Sequence, residues 1–503
     1  TEWTKYTVLD VSGTNVTFQT LCHFKNGTDE GVVGWIDVDT GKSNASSSIM
    51  ICPYVIISAN LTSGDPIYTE IPYNNWKINA TVNKTYLGYA VEANLLNITT
   101  GPGFTLSSYY AKYAGVLCEL ELVYTDNYSL YGIIEEGSII PERALYRVHN
   151  LDTGLNYTTI QEAINASETS DGHVIFAEEG VYYEHIMINK SISLVGENKN
   201  TTIIDGNNSC PIVEIVANDV SIDGFTIQNG GFSYALVAGG VKIHSNGSTI
   251  SNNIIRNSPN NIVVLGLWNN ITGNAILNAS SNNGIFLVGS FNTVSGNTIA
   301  NNTRKAGIDA SLGGEGNIIS DNFIANNWNG IICSYCTVVG NTVINSTLVG
   351  IQIGRNNTVA DNIVAFNKYG ISIGRGENTL RNNVMKNNSF NLELLPSNFW
   401  YDLYSLEDII NDVDSSNEVD GKPVYYWVNQ HNKQIPTNAG YLALINCTYI
   451  VARNLTLTNN EPGVLLANST NCLLELLRVM NNDDGIVLWG SSNNTIRNSD
   501  IIG

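Results

Sequence analysis

The feature that most constrains this chain is a repeat between Gly284 and Phe390. Gly284, Gly307, Gly330, Gly350 and Gly370 each open a segment, at intervals of roughly 20–24 residues. Each segment continues with one or two apolar residues, a polar turn, a T-V-x-x-N or near variant, and a second apolar pair. The apolar runs are short and are separated by Gly, Asn and Ser, so they predict strands. One such unit cannot bury its own apolar face, but a stack of them can. The pattern predicts an all-β solenoid, a right-handed single-stranded parallel β-helix with one segment per coil. Its handedness follows from the preference for right-handed crossovers.

Asn253, Asn274, Asn297, Asn322, Asn341, Asn362 and Asn383 hold one place in successive coils. Stacking spaces equivalent residues at about 4.8 Å. At that spacing amides can hydrogen-bond along the stack as a structural ladder. Asn also tolerates the left-handed backbone of a tight corner. Amides used in this way have nothing left to offer a ligand.

Residues 1–135 lack the repeat. Alternating strands are expected at Tyr6–Asp10, Asn15–His23, Gly31–Asp39, Ile49–Ile57, Trp76–Val82, Gly88–Leu96 and Leu117–Tyr124. Turn pairs at Ser12-Gly13, Asn26-Gly27 and Thr40-Gly41 predict hairpins, hence an antiparallel β domain, a curved sheet or a sandwich. Residues 136–150 read as a linker and 151–503 as the solenoid.

Only 14% of the 503 residues are charged, and Asp+Glu 45 against Lys+Arg 24 gives a net charge of -21. That balance argues against nucleic acid, which needs a basic footprint. No apolar run reaches the roughly 18 residues of a transmembrane helix. Thr1 enters a strand-like segment directly, as a processed mature chain does. Acceptor sequons for N-glycosylation number about two dozen. In the first region they are Asn15, Asn26, Asn44, Asn60, Asn79, Asn83, Asn97 and Asn127. Further on they are Asn156, Asn165, Asn189, Asn200, Asn207, Asn246, Asn270, Asn278, Asn301, Asn345, Asn356, Asn387, Asn446, Asn454, Asn468 and Asn493. An Asn/Thr-rich repeat makes sequons by composition alone, but the first region has no repeat. An extracellular, glycosylated cell-surface protein is therefore expected.

Eight cysteines suit an oxidising compartment. Cys447 and Cys472 are placed by sequence at equivalent points of adjacent coils, within disulfide range. Cys333 and Cys336 could close a small loop. Cys22, Cys52, Cys118 and Cys210 leave three pairings open.

Residues 156–164, N-Y-T-T-I-Q-E-A-I, predict a short amphipathic helix capped by Thr158 or Thr159. It would cover the open edge of the first coil. With G-V-Y-Y-E-H-I-M-I-N-K-S-I-S-L-V-G-E after it and V-D-G-K-P-V-Y-Y-W-V-N-Q at 419–430, residues 150–503 resemble the carbohydrate-binding and sugar-hydrolase β-helix family. That family has the pectin-lyase-like fold and includes the NosD-type periplasmic proteins. G-W-I-D-V-D-T-G in the first region resembles domains of secreted archaeal proteins and implies no activity. The period breaks at about 388–442, which reads as an excursion packed on the solenoid.

The resemblance implies polysaccharide chemistry or copper. Hydrolysis needs paired carboxylates. Asp483-Asp484 is the adjacent Asp pair in the coils, and a solvated turn before Gly explains it better. Arg355, Arg375 and Arg381 fall in adjacent coils and could hold an anionic sugar, though a solvated turn again suffices. Copper needs soft or imidazole ligands. His185 and Met187 form one close pair without a third ligand. Asp412, Asp414 and Glu418 alternate as calcium-binding oxygens do, but without the Gly and terminal acid of an EF-hand loop. Trp268, Trp328 and Trp489 lie beside turns, where aromatics stack on sugars or pad a solenoid face.

No catalytic residue or resident cofactor is assigned, with calcium the one metal whose spacing fits. The reading is a non-enzymatic structural glycoprotein, a subunit of a surface layer, sheath or extracellular filament. The alternative is a carbohydrate-active enzyme or polysaccharide-binding protein on the same fold. The final coil, ending at Asn498–Gly503, has no predicted cap. Solenoid ends need covering, so head-to-tail self-association through the strand at Trp3–Leu9, or a longer chain, is expected.

Overall fold

The computed structural model describes the backbone of eight strands between Trp3 and Ile133, and residues 147–232, 237–394 and 405–502 in full. The chain divides into two compact units, Thr1–Leu145 and Tyr146–Gly503.

In the first unit, Trp3–Ser12, Asn15–His23 and Asp29–Asp37 form an antiparallel three-stranded sheet. Ala80–Tyr86, Tyr89–Thr99, Phe104–Ala111, Leu117–Tyr124 and Ser129–Ile133 form a five-stranded antiparallel meander. Ser12 pairs with Asn15 and Tyr86 with Tyr89, the register of two-residue hairpins. The strand expected at Ile49–Ile57 and the turns at Asn26-Gly27 and Thr40-Gly41 lie outside the described residues.

The second unit is a parallel β-helix. Three strands per coil stack in register into three sheets. The first sheet runs from Val174–Ala177 to Asp412–Val413, the second from Gly180–Tyr182 to Glu418–Val419, and the third from Ile186–Ile188 to Phe390–Leu394. Inward residues such as Ile250, Ile255, Ile262, Ile271, Ile276 and Ile285 are fully buried and form one continuous core.

The recurrent glycines of the third sheet are required by close approach. A Cβ at Gly284, Gly307, Gly330, Gly350 or Gly370 would lie between 2.3 and 2.9 Å from the backbone carbonyl of the next coil.

The start of the stack is closed by a hairpin and a helix. Val148–Asn150, at the end of the expected linker, pairs antiparallel with Val174–Ala177 and with Leu155–Tyr157. The helix Ile160–Asn165 buries Ile160, Ala163 and Ile164, and its N-cap Thr159 accepts from the Glu162 N–H. Glu184 accepts from the N–H groups of Ile160 and Gln161, so two free donors of the first turn are matched.

The stack changes direction after the excursion. Glu418–Val419 pairs antiparallel with Lys422–Val428, which then runs parallel to Tyr441–Ile445. Val464–Ala467 and Ile486–Trp489 follow in the same sheet. The three last coils thus run opposite to the strands before them and enclose a second core, with Leu442, Leu444, Leu457, Leu466 and Leu474. Tyr441, Ala443 and Ile445 of the shared sheet face the first core. Sequence periodicity shows that coils resume; it carries no sign of their direction. On the final coil Ile501 and Ile502 are exposed.

Candidate functional site

Each of the eight coils between Asp219 and Asn388 turns three corners, and each corner pairs one left-handed residue with one buried residue that follows it. Between the first and second sheets the left-handed residues are Gly224, Asn252, Gly273, Gly296, Asp321, Gly340, Asp361 and Asn382. Buried Asn253, Asn274, Asn297, Asn322, Asn341, Asn362 and Asn383 follow in seven of these eight coils, and Asn417 extends the column by one. Asn253 Oδ1 accepts from the Phe225 N–H, and each later side-chain oxygen in this column accepts from the backbone N–H of the Asn one coil back, as from Asn274 to Asn297 (2.9 Å) and Asn341 to Asn362 (2.9 Å). The Nδ2 groups donate to the next rung and to backbone carbonyls.

Two further ladders stand at the other corners. Asn269, Asn292, Asn317, Asn357, Asn378 and Asn411 line the corner between the third and first sheets. Asn302, Asn327, Asn367 and Asn388 line the one between the second and third. Cys336 and Ser346 stand in for Asn at one rung each, donating their N–H to Asn357 and Asn367.

The left-handed positions differ sharply among the corners. Between the second and third sheets they are Asn229, Asn257, Asn278, Asn301, Asn326, Asn345, Phe366 and Asn387. Between the third and first they are Asp219, Gly247, Trp268, Phe291, Gly316, Tyr335, Asn356 and Glu377. Three bulky aromatics thus sit in one column at φ 58, 57 and 59°, where large side chains are genuine outliers. All three are exposed: Trp268 49%, Phe291 44% and Tyr335 42%. Trp268 and Phe291 stack with ring centroids 4.7 Å apart and planes at 20°. The Phe291 ring lies over Gly316, where a Cβ would meet it at 2.5 Å. Beside Tyr335 opens a cleft of about 480 Å3, lined by Ser311, Ser334, Gln352, Arg355 and Arg375 among others.

Arg355 and Arg375 come together here, both on Asp408. Arg355 Nη2 lies 3.3 Å from Asp408 Oδ1 and Arg375 Nη1 3.3 Å from Oδ2. Burial opposes ionisation of Asp408. The Ser405 N–H and hydroxyl and the Arg375 guanidinium outweigh it and hold the carboxyl below its ordinary range. This constellation pins the returning excursion to the corner. Arg381 stands apart from it, bonded to Asp412 and 3.3 Å from Asp414. That contact corrects the calcium candidate: the guanidinium occupies the place a cation would take between Asp412 and Asp414. Among the described residues no group of three or more His, Cys, Asp or Glu could hold a metal ion.

A second constellation, invisible in the sequence, lies where the third sheet ends. Glu393 and Glu461 pair backbone to backbone across the junction of the two solenoids, and both side chains are buried. Each keeps one carboxylate oxygen without a hydrogen-bond partner among the described residues, as do Tyr441 OH and Asn460 Oδ1. Burial, then the Glu393 carboxylate, then Asp483, push Glu461 up to about 8. Burial also raises Glu393, against the Ser372 hydroxyl and Lys368. Asp483 and Asp484 are themselves exposed.

The five cysteines among the described residues, Cys210, Cys333, Cys336, Cys447 and Cys472, are free thiols. Cys333 and Cys336 lie buried against one another, and that contact, with burial, holds the Cys333 thiol well above its usual range. Thr448 pairs with Thr470 and Val451 with Leu473. Cys447 therefore faces Ser469 and Cys472 faces Ile450, so their expected equivalence is corrected by three residues. Trp328 is exposed, and Trp489 packs partly against the core. The side chains of the eight sequons and three cysteines in the first region lie outside the described residues.

Residues 216–413 match the family described as periplasmic copper-binding protein (NosD). A cell surface glycoprotein of Methanothermus fervidus is 37% identical over 113 residues, 22% of this chain and 18% of that protein. The chain thus matches under a fifth of that relative's length. Among solved structures, the A-module of the mannuronan C-5 epimerase AlgE6 of Azotobacter vinelandii is 12% identical, covers 68% of this chain and 94% of its own, and has a TM-score of 0.40. A mutant tailspike protein of E. coli bacteriophage HK620 in complex with pentasaccharide is 10% identical, with 68% and 74% covered and a TM-score of 0.41. No helix among the described residues is long and apolar enough to cross a membrane.

The family's name raises copper, and the donors do not fit it. His185, Met187 and Cys210 line one cleft, outside the matched residues. The His185 ring bonds to the Pro211 carbonyl and the Cys210 thiol donates to the Gly230 carbonyl. Burial pushes that thiol up to about 11, so a metal there would have to displace a firmly held proton as well as these hydrogen bonds. Over residues 216–413 this parallel β-helix is similar to the NosD family, and the relative supports a cell-surface location.

Proposed function

We propose that the protein is a glycosylated structural component of a cell surface, a self-associating subunit of a surface layer, sheath or extracellular filament. The carrying observation is the placement of the sequons. Of the sixteen sequon asparagines among the described solenoid residues, all but Asn270 are exposed. Ten of them occupy left-handed corner or turn positions, where the side chain projects from the rod. The interior supports the same reading. Its corner asparagines are consumed by three ladders, which stiffen a stack of ten complete coils to a rod of about 50 Å. The similarity to a cell surface glycoprotein agrees with this use.

Isolation of the native protein tests the proposal. The expected result is an intact mass well above that of the polypeptide and sedimentation as a polymer. A native monomer with the bare polypeptide mass would overturn it.

A further inference from the structure

The aromatic column has a neighbour that explains it. The residue that follows Tyr335 in the left-handed column is Asn356, the acceptor of an N-N-T sequon. The Tyr335 N–H donates to the Arg355 carbonyl, so Asn356 stands one coil away, about 4.8 Å along the stack. Asn356 is exposed, and its side chain makes no hydrogen bond among the described residues. Asn446 and Asn468, by contrast, spend their Nδ2 on the neighbouring amide.

We propose that a glycan carried by Asn356 folds back along this column, its first sugar over Tyr335 and later ones over Phe291 and Trp268. The inference rests on the glycosylated reading above and adds where one glycan lies. The backbone asks for Asn, Asp or Gly at these positions, and the corner between the first and second sheets has nothing else in eight coils. Trp, Phe and Tyr in that conformation carry a cost in strain. Their rings form a strip three coil steps long, about 14 Å. A pyranose presents apolar C–H faces and polar edges. The strip offers ring faces, and the cleft beside Tyr335 offers Ser334, Gln352 and the Arg355 guanidinium to the edges. Arg355 and Arg375 are already balanced by two carboxylates, Asp408 and Glu377, and the chain is strongly acidic, so the fit is to a neutral saccharide.

Tyr335→Gly tests this, because glycine suits the left-handed backbone and the ring is exposed, so the variant folds. Thermal unfolding is compared in glycosylated protein and in an Asn356→Gln background, with glycopeptide mapping of Asn356 in each preparation. With the glycan present, Tyr335→Gly lowers the melting temperature. Without it the same substitution lowers the melting temperature less or not at all, since only the ring's own packing and the backbone terms change. A bare Asn356 in native protein contradicts the glycosylated reading at this site and the inference with it. An occupied Asn356 with the same Tyr335→Gly shift in both backgrounds overturns the inference alone.

Discussion

The corners of the long solenoid and the junction at Glu393 and Glu461 both bury polar groups, and they do so with opposite success. At the corners each amide meets its own translated copy. The oxygen of Asn341 accepts from the N–H and Nδ2 of Asn322, both at 3.0 Å, and its own Nδ2 donates to Asn362 Oδ1 at 3.0 Å. At the junction the coil translation ends, because the chain after Leu394 leaves the third sheet and the segment that pairs with it comes from the last coils. Glu393 then meets Glu461 in place of another copy of itself, and unpartnered oxygens and raised carboxyls follow. Buried polarity is inexpensive where a repeat guarantees a partner, and costly where the repeat stops.

The largest effect should come from removing a rung. Asn341→Leu strands the donors of Asn322 and the Ile319 carbonyl, at about 1–3 kcal/mol for each buried group left unmatched. Denaturant unfolding should show a loss of at least about 3 kcal/mol. A midpoint like that of the wild type would erase the contrast. Asp408→Asn should cost less, about 2 kcal/mol, because its arginines are partly solvated. The loss should shrink in high salt, whereas that of Asn341→Leu should not.

The junction should announce itself in pH. Glu461 holds its proton in the fold to about pH 8, while in the unfolded chain it ionises near its ordinary value. The fold therefore binds more protons across that window, and stability falls as pH rises through it. Glu461→Gln should flatten this slope and raise the melting temperature at alkaline pH. A slope unchanged in the variant would place the titrating group elsewhere. The smallest effect concerns Asp412, Asp414 and Glu418. With Arg381 between the two aspartates, added calcium should leave the melting temperature where it is. A calcium-dependent rise that Asp414→Asn abolishes would restore a cation there.

The parallel β-helix is legible because its period and its recurrent Gly and Asn are local and repeated. One ladder shows in the T-V-x-x-N spacing. The other two are harder to see, since Cys336 and Ser346 interrupt them and turn lengths vary, as at residues 311–315. The aromatic column is legible only in part: Trp268 can be noticed as a turn residue, but Phe291 and Tyr335 join it only once the coils are aligned. Glu393 and Glu461 lie far apart in sequence in a stretch where the period has broken, and no local pattern links them. The reversed direction of the last coils escapes for the same reason, because periodicity is blind to polarity.

Hydrogen exchange tests the central contrast most directly. The backbone amides of Asn274, Asn297, Asn322 and Asn341 donate to the next rung, and those of Asn391, Leu394 and Glu461 donate across the junction. The ladder amides should exchange only with global unfolding. The junction amides should exchange sooner, and sooner still as pH rises toward about 8 once the intrinsic rate is corrected. Equal protection of the two sets at every pH would contradict the account.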